Sequence, residues 1–85
     1  MKLLKDILYK VKLSSVIGST GISINSIQFD SRKVTNGDLF VAVLGNKSDG
    51  NTYIDDAIEK GAKVVLSKFD PKKIIKEVTY LKVDN

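Results

Sequence analysis

Between Asp38, which follows the pair Asn36-Gly37, and Gly45 the chain reads Leu39, Phe40, Val41, Ala42, Val43, Leu44, with no polar residue in the run. A strand with one face in water alternates polar and apolar side chains; a run without alternation belongs to a strand covered on both faces. Asn36-Gly37 is a turn signal, because both residues tolerate positive φ. This strand therefore demands a sheet with a packing layer on each side. In 85 residues of 42% hydrophobic content, that leaves room for one small domain with a single modest core.

The neighbouring segments fit such a sheet. The polar loop GNKSDGN leads to a helix with Asn51 or Thr52 as N-cap and Ile54, Ala57 and Ile58 on its buried side. Asp55 and Asp56 stand in its first turn and Lys60 in its last, and Gly61 follows as a left-handed stop. AKVVLSK reads as a second buried strand and TYLKV as the last one. Between them Asp70-Pro71 predicts the N-cap and first residue of a short helix carrying Ile74 and Ile75. The second half thus reads β-α-β-α-β, which predicts parallel strands joined by crossovers.

Upstream, Leu3, Leu4, Ile7, Leu8 and Val11 recur at helical spacing, predicting an amphipathic helix ended by Ser14-Ser15. IGSTGIS reads as a flexible connector. In ISINSIQF, Ile22 and Ile24 alternate and the pattern resumes out of phase at Ile27 and Phe29, giving two short strands or one strand with a bulge. The expected fold is α/β, a small mixed sheet with helices on its faces. Residues 1–85 form one domain without an internal linker, repeat or low-complexity segment.

Composition narrows the chemistry. The chain has neither Cys nor His, which removes disulfides, thiolate ligands, the commonest general base and the commonest metal ligand. The net charge of +4 comes from lysines spread along the chain, Lys2, Lys5, Lys10 and Lys12 near the start and Lys68, Lys72, Lys73 and Lys76 near the end. With one Arg and scattered aromatics, this reads as solvated helix faces and not as a nucleic-acid surface. MKLLKDILYKVKL is interrupted by charge every few residues and lacks the apolar core of a signal peptide or membrane span. The expectation is a cytoplasmic protein with no nucleic-acid or membrane partner.

Ligands of open α/β sheets collect beyond the carboxyl ends of the strands. Two polar segments occupy such positions: Asp30-Ser31-Arg32 after the Ile27–Phe29 strand, and Gly45 to Gly50 after the apolar run. Both admit a plain reading as turn chemistry and helix entry. A phosphate cradle is disfavoured, since GNKSDG has neither G-x-x-x-x-G-K-S/T nor G-x-G-x-x-G spacing and carries Asp49. Small polar side chains and free amides suit the edge of a nucleobase better. No nucleophile with its base, metal cluster or ATP loop is present, so no catalytic residue is assigned. From its residues the chain is a binding module.

The stretches DSRKVTNGDLFVAVLG (Asp30 to Gly45) and DGNTYIDDAIEKGAKVVLS (Asp49 to Ser67) carry a resemblance. They are similar to the D-S-R-x-V-x-x-G-D-L-F-V-A-x-x-G and D-G-x-x-F/Y-I-x-x-A-x-x-x-G-A patterns of the Mur ligases, in the N-terminal domain of the diamino-acid-adding branch. The resemblance implies a domain that holds the uridine end of UDP-N-acetylmuramoyl-L-alanyl-D-glutamate. Ser31, Asn46, Lys47 and Ser48 would approach the uracil and ribose, and Ile27 and Phe29 would supply an apolar wall. The family often has His where Asn51 stands, so a contact made by that imidazole is not carried over. ATP and magnesium would act in the remaining ligase domains, in cis beyond Asn85, where the acyl phosphate of the D-glutamate carboxylate meets the amine of meso-diaminopimelate or L-lysine. This fragment would hold no cofactor or metal of its own. Two rivals are the D-alanyl-D-alanine-adding branch and a free-standing nucleotide-binding regulatory module.

Overall fold

The computed structural model describes residues 2–42 and 50–83. Its centre is a five-stranded sheet. In chain order the strands are β1 (Lys2–Leu3), β2 (Leu13–Ile17), β3 (Ser23–Ile24), β4 (Ile27–Gln28), β5 (Leu39–Val41), β6 (Val64–Ser67) and β7 (Thr79–Val83). The main sheet runs β2-β7-β6-β5-β4, and β1 with β3 makes a separate antiparallel ribbon. Strands β4 to β7 are mutually parallel, as the order of elements predicts, and β2 joins β7 antiparallel.

The apolar run divides between two layers. Leu39 and Val41 point with Val64 and Leu81 into one cluster, completed by Leu4 and Ile24. Phe40 points the other way and packs with Val34, Ala57 and Ala62. All three residues of β5 are buried, which is what a strand covered on both sides requires. Helix α1 (Leu4–Ile7) serves the first layer and α2 (Gly50–Glu59) the second.

The stop of α2 follows the expected chemistry. Ala62 N–H bonds the Ala57 carbonyl at 3.0 Å and Gly61 N–H the Ile58 carbonyl at 3.0 Å, the paired bonds of a Schellman motif, with Gly61 at φ +113°. The start differs. The helix already includes Gly50, so Asn51 and Thr52 lie within it and not at its cap. The Thr35–Asp38 turn closes with Asp38 N–H on the Thr35 carbonyl at 3.2 Å, and Gly37 takes the positive φ of +89°.

Two expected helices are corrected. The N-terminal helix is a single turn; the apolar spacing continues through Leu8, but Leu13–Ile17 is drawn into β2 by the free edge of β7. Ser14-Ser15 is thus part of a strand, and its register slips between Leu13 and Ser15. The helix after Asp70-Pro71 does not form. Ile75 N–H goes instead to the Tyr80 hydroxyl at 3.0 Å, Val78 N–H bonds the Ile75 carbonyl at 3.1 Å, and Glu77 sits at φ +72°. The Asp70 carboxylate meets the Lys82 ammonium at 3.2 Å. The α/β class stands, with β5-α2-β6-β7 in place of the full alternation. ISINSIQF resolves into two strands, β3 and β4, belonging to different sheets. No helix among the described residues is long and apolar enough to cross a membrane.

Candidate functional site

The parallel strands all point their carboxyl ends to one edge, and Asp30-Ser31-Arg32 lies there, directly after β4. Its conformation is local in origin. One Asp30 carboxylate oxygen accepts the Arg32 backbone N–H at 3.0 Å and its Nε–H at 3.0 Å; the other accepts Nη2–H at 2.9 Å. The backbone bond makes an Asx turn and the two side-chain bonds a forked ion pair. Lys33 N–H on the Asp30 carbonyl, at 2.9 Å, then winds Ser31–Lys33 into one 3-10 turn.

This pairing shows in the electrostatics. The Arg32 fork, then its backbone N–H, lowers the Asp30 carboxyl from 3.8 to about 2. Arg32 is pushed up, chiefly by the same hydrogen bond and the Asp30 charge, with Tyr53 adding to it. Arg32 is 85% exposed in its side chain, so it is engaged with Asp30 and not with the core. Tyr53, on the early part of α2, was not singled out by sequence spacing; only the packing of α2 against the 3-10 turn brings it there.

Ser31, the first residue of that turn, is buried at 6% exposure. Ile27, in the outer edge strand, and Phe29, just after it, are 39% and 60% exposed. Ile27 stands opposite Leu39 and shares its layer, whereas the turn carrying Ser31 packs on α2. Asn46, Lys47 and Ser48 lie outside the described residues. The second polar segment enters the description only at Gly50, where α2 begins. Strands β4 and β5 are adjacent and parallel, so the two strands that lead into these segments end on one edge of the sheet.

One residue of evident consequence stands in the quoted family pattern without having been given a role. Asp38 is fully buried. Its Oδ1 accepts Ser26 N–H at 3.1 Å and the Ser26 hydroxyl at 2.8 Å; its Oδ2 accepts Thr35 N–H at 2.8 Å and the Thr35 hydroxyl at 3.1 Å. Burial alone would raise its pKa, but these four donors outweigh it and the value is lowered. The available signal was Asp following a turn glycine, which local chemistry explains as loop polarity.

The profile described as "Mur ligase family, catalytic domain" matches residues 23–84, and the chain belongs to that family. Over 82 residues it is 44% identical to the UDP-N-acetylmuramoyl-L-alanyl-D-glutamate--2,6-diaminopimelate ligase of Phocaeicola vulgatus, covering 96% of this chain and 17% of that protein. A solved structure of a ligase of that name superposes with a TM-score of 0.63 at 19% identity, over 91% of this chain and 15% of the other, a likeness of fold. MurF from Acinetobacter baumannii superposes with a TM-score of 0.57 at 26% identity, over 75% of this chain and 14% of the other. The chain therefore spans about a sixth of the length of the relatives it matches.

Proposed function

We propose that residues 1–85 are the N-terminal domain of an ATP-dependent amide-forming ligase of cell-wall peptidoglycan synthesis, acting in the cytoplasm. Its task there is to hold the uridine end of UDP-N-acetylmuramoyl-L-alanyl-D-glutamate while a diamino acid is added. The observation that carries the reading is the D-S-R turn, preformed at the carboxyl edge and packed on α2, in a chain so similar to a ligase named for that substrate. Ser31, with Asn46, Lys47 and Ser48 from the loop before α2, is assigned to the uracil edge and ribose, and Ile27 and Phe29 to an apolar flank. The relative's name favours 2,6-diaminopimelate as the amino acid added. The MurF likeness keeps the D-alanyl-D-alanine-adding branch as the second reading.

ATP and magnesium belong to the remaining domains in cis. The residues described here do not fit either: no group of three acidic residues is placed to hold a metal, and the sequence lacks a phosphate loop. No step of the phosphoryl or acyl transfer is assigned to this chain.

Titration of the 85-residue chain with UDP and with CDP, followed by backbone amide shifts, tests the reading. UDP offers few atoms to this domain alone, so a dissociation constant of about 1 mM, roughly 4 kcal/mol, is expected. Shifts at Ser31 and Asn46–Ser48 should precede others and be weaker with CDP, whose base reverses donor and acceptor at two ring positions. Equal responses to both nucleotides, or shifts confined to the lysine-rich segments, would overturn it.

A further inference from the structure

From the clamp at the base of the β4 excursion, we infer that Asp38 is a positioning residue for the Ser31 turn: it sets where the proposed nucleotide edge stands without touching the ligand. This inference rests on the proposed function for its ligand, and on geometry alone for the positioning itself.

The chain leaves the ribbon at Ser26, runs out along β4, makes the Asp30–Lys33 turn, and returns through Thr35 to the start of β5. Few backbone bonds hold that excursion along its length. β4 is an edge strand of two residues, paired only through Ile27 to Leu39 and Gln28 to Phe40. The turn's own bonds, from Arg32 and Lys33 to Asp30, are internal to it, and beyond them the turn is held by packing on α2 and not by hydrogen bonds to the sheet. What ties the two limbs together is one carboxylate. Its Oδ1 holds the outgoing limb at Ser26, and its Oδ2 the returning limb at Thr35. Leu39 N–H on the Ser26 carbonyl, at 2.9 Å, closes the same base.

Thr35 directly follows Val34, the buried side chain by which the returning limb packs on Phe40 and Ala57. Fixing Thr35 therefore fixes the depth at which Val34 seats, and Val34 N–H is bonded to the Ser31 carbonyl at 3.4 Å. Position passes in this way from Asp38 to Thr35, Val34 and Ser31. A carboxylate is a costly group to bury, and no cation pairs with Asp38 among the described residues. Hydrogen bonds to an ionised acceptor are stronger than neutral ones, and each limb has one at 2.8 Å, so displacement of either limb is resisted.

The test compares Asp38→Asn with Gly18→Ala in the 85-residue chain. Asparagine keeps the shape but turns one acceptor into a donor, losing the hold on one limb. Gly18→Ala is the control for general destabilisation: its added Cβ would lie 2.9 Å from the Thr79 hydroxyl, and Gly18 has φ +106°. It does so at the far side of the sheet, in the segment after β2. Amide hydrogen exchange at Arg32, Lys33 and Val34 should accelerate about tenfold more than exchange in β6 and β7 in Asp38→Asn, and no more than exchange in β6 and β7 in Gly18→Ala, because local opening is governed by the ties that are cut. The UDP dissociation constant should rise about fivefold in Asp38→Asn, beyond its loss of stability, and less than about twofold in Gly18→Ala.

Should Asp38→Asn fail to fold, Thr35→Val removes a single bond to Oδ2 and should give the same selective exchange, while Thr35→Ser should restore wild-type behaviour. Uniform exchange in a folded Asp38→Asn, or unchanged UDP affinity where the wild type binds UDP, overturns the positioning role. A wild type that ignores UDP overturns the proposed function instead, and the exchange pattern still decides the role of Asp38.

Discussion

The two edges of the main sheet are built on different principles. At the amino edge the bonds run from strand to strand: Leu39 N–H to Ser26, Lys63 N–H to Asp38, Thr79 N–H to Lys63, and the Thr79 hydroxyl to the Ser19 carbonyl at 2.7 Å. Gly37 N–H reaches the Gly61 carbonyl at 2.8 Å. At the carboxyl edge the turn bonds are local, Arg32 N–H to the Asp30 carboxylate and Phe69 N–H to the Ser67 hydroxyl at 3.0 Å. Exposed aromatics cluster in the segments that begin or leave there, Phe29, Tyr53 and Phe69. One edge stitches the fold together; the other, among the described residues, carries polar turns and uncovered rings, which suits the binding proposed for it.

Two aspartates make the contrast concrete. Asp30 and Asp38 both have lowered pKa values, the first through an exposed partner and the second against burial through four donors. Each therefore contributes stability at pH above the ordinary 3.8 and loses it as pH falls through the folded value, which for Asp30 is about 2. The consequence differs because only Asp38 leaves buried donors stranded when it is neutralised or removed.

The contrast would break most visibly at Gly61. An alanine Cβ there would lie 2.6 Å from the Asn36 Cα, with the backbone at φ +113°. Backbone strain and overpacking together should cost about 3 kcal/mol or more, read as a lowered urea midpoint. Next comes Asp38→Ala, expected to cost about 2–4 kcal/mol because Ser26 and Thr35 N–H groups lose their acceptor. Thermal melts between pH 2 and about 6 should also lose part of the acid-induced drop that the wild type shows below the ordinary carboxylate range, since a lowered-pKa group is gone.

Effects at the carboxyl edge should fall on binding and leave the fold intact. Ser31→Ala should weaken UDP about threefold to tenfold, the worth of roughly one hydrogen bond, with an unchanged melting midpoint. A large loss of stability with unchanged affinity would make that edge structural as well. Arg32→Ala is expected to be the mildest, since an exposed pair is screened by salt. Its melting curve at 0.15 M salt should overlay the wild type, and a clear shift would mean that the turn carries weight for the whole sheet.

Much of the fold was legible locally. The unbroken run from Leu39 announced a strand with a layer on each side, Asn36-Gly37 its turn, and Gly61 the helix stop, because each depends on side chains within a few residues. The D-S-R turn was legible as turn chemistry too, and within it Arg32 pairs with Asp30. The site as a whole was not. Ser31 meets α2 only through the packing of a helix that begins at Gly50, and Asn46, Lys47 and Ser48 were assigned from a family pattern, not from anything their spacing requires.

The sequence by itself determined the layers, because burial on both faces is written in the absence of alternation and needs no knowledge of partners. Tertiary structure alone decided that Leu13–Ile17 would be a strand and that the segment after Pro71 would not be a helix. Both outcomes answer hydrogen-bond demands set from far along the chain. The edge of β7 needs a partner, and Ser14-Ser15 can supply backbone groups as well as any residues. Ile75 N–H finds the Tyr80 hydroxyl in place of a helical carbonyl. Asp38 is the same lesson in a side chain: its neighbours Ser26 and Thr35 come together only when the sheet closes, and no local spacing foretells a buried carboxylate held by four donors.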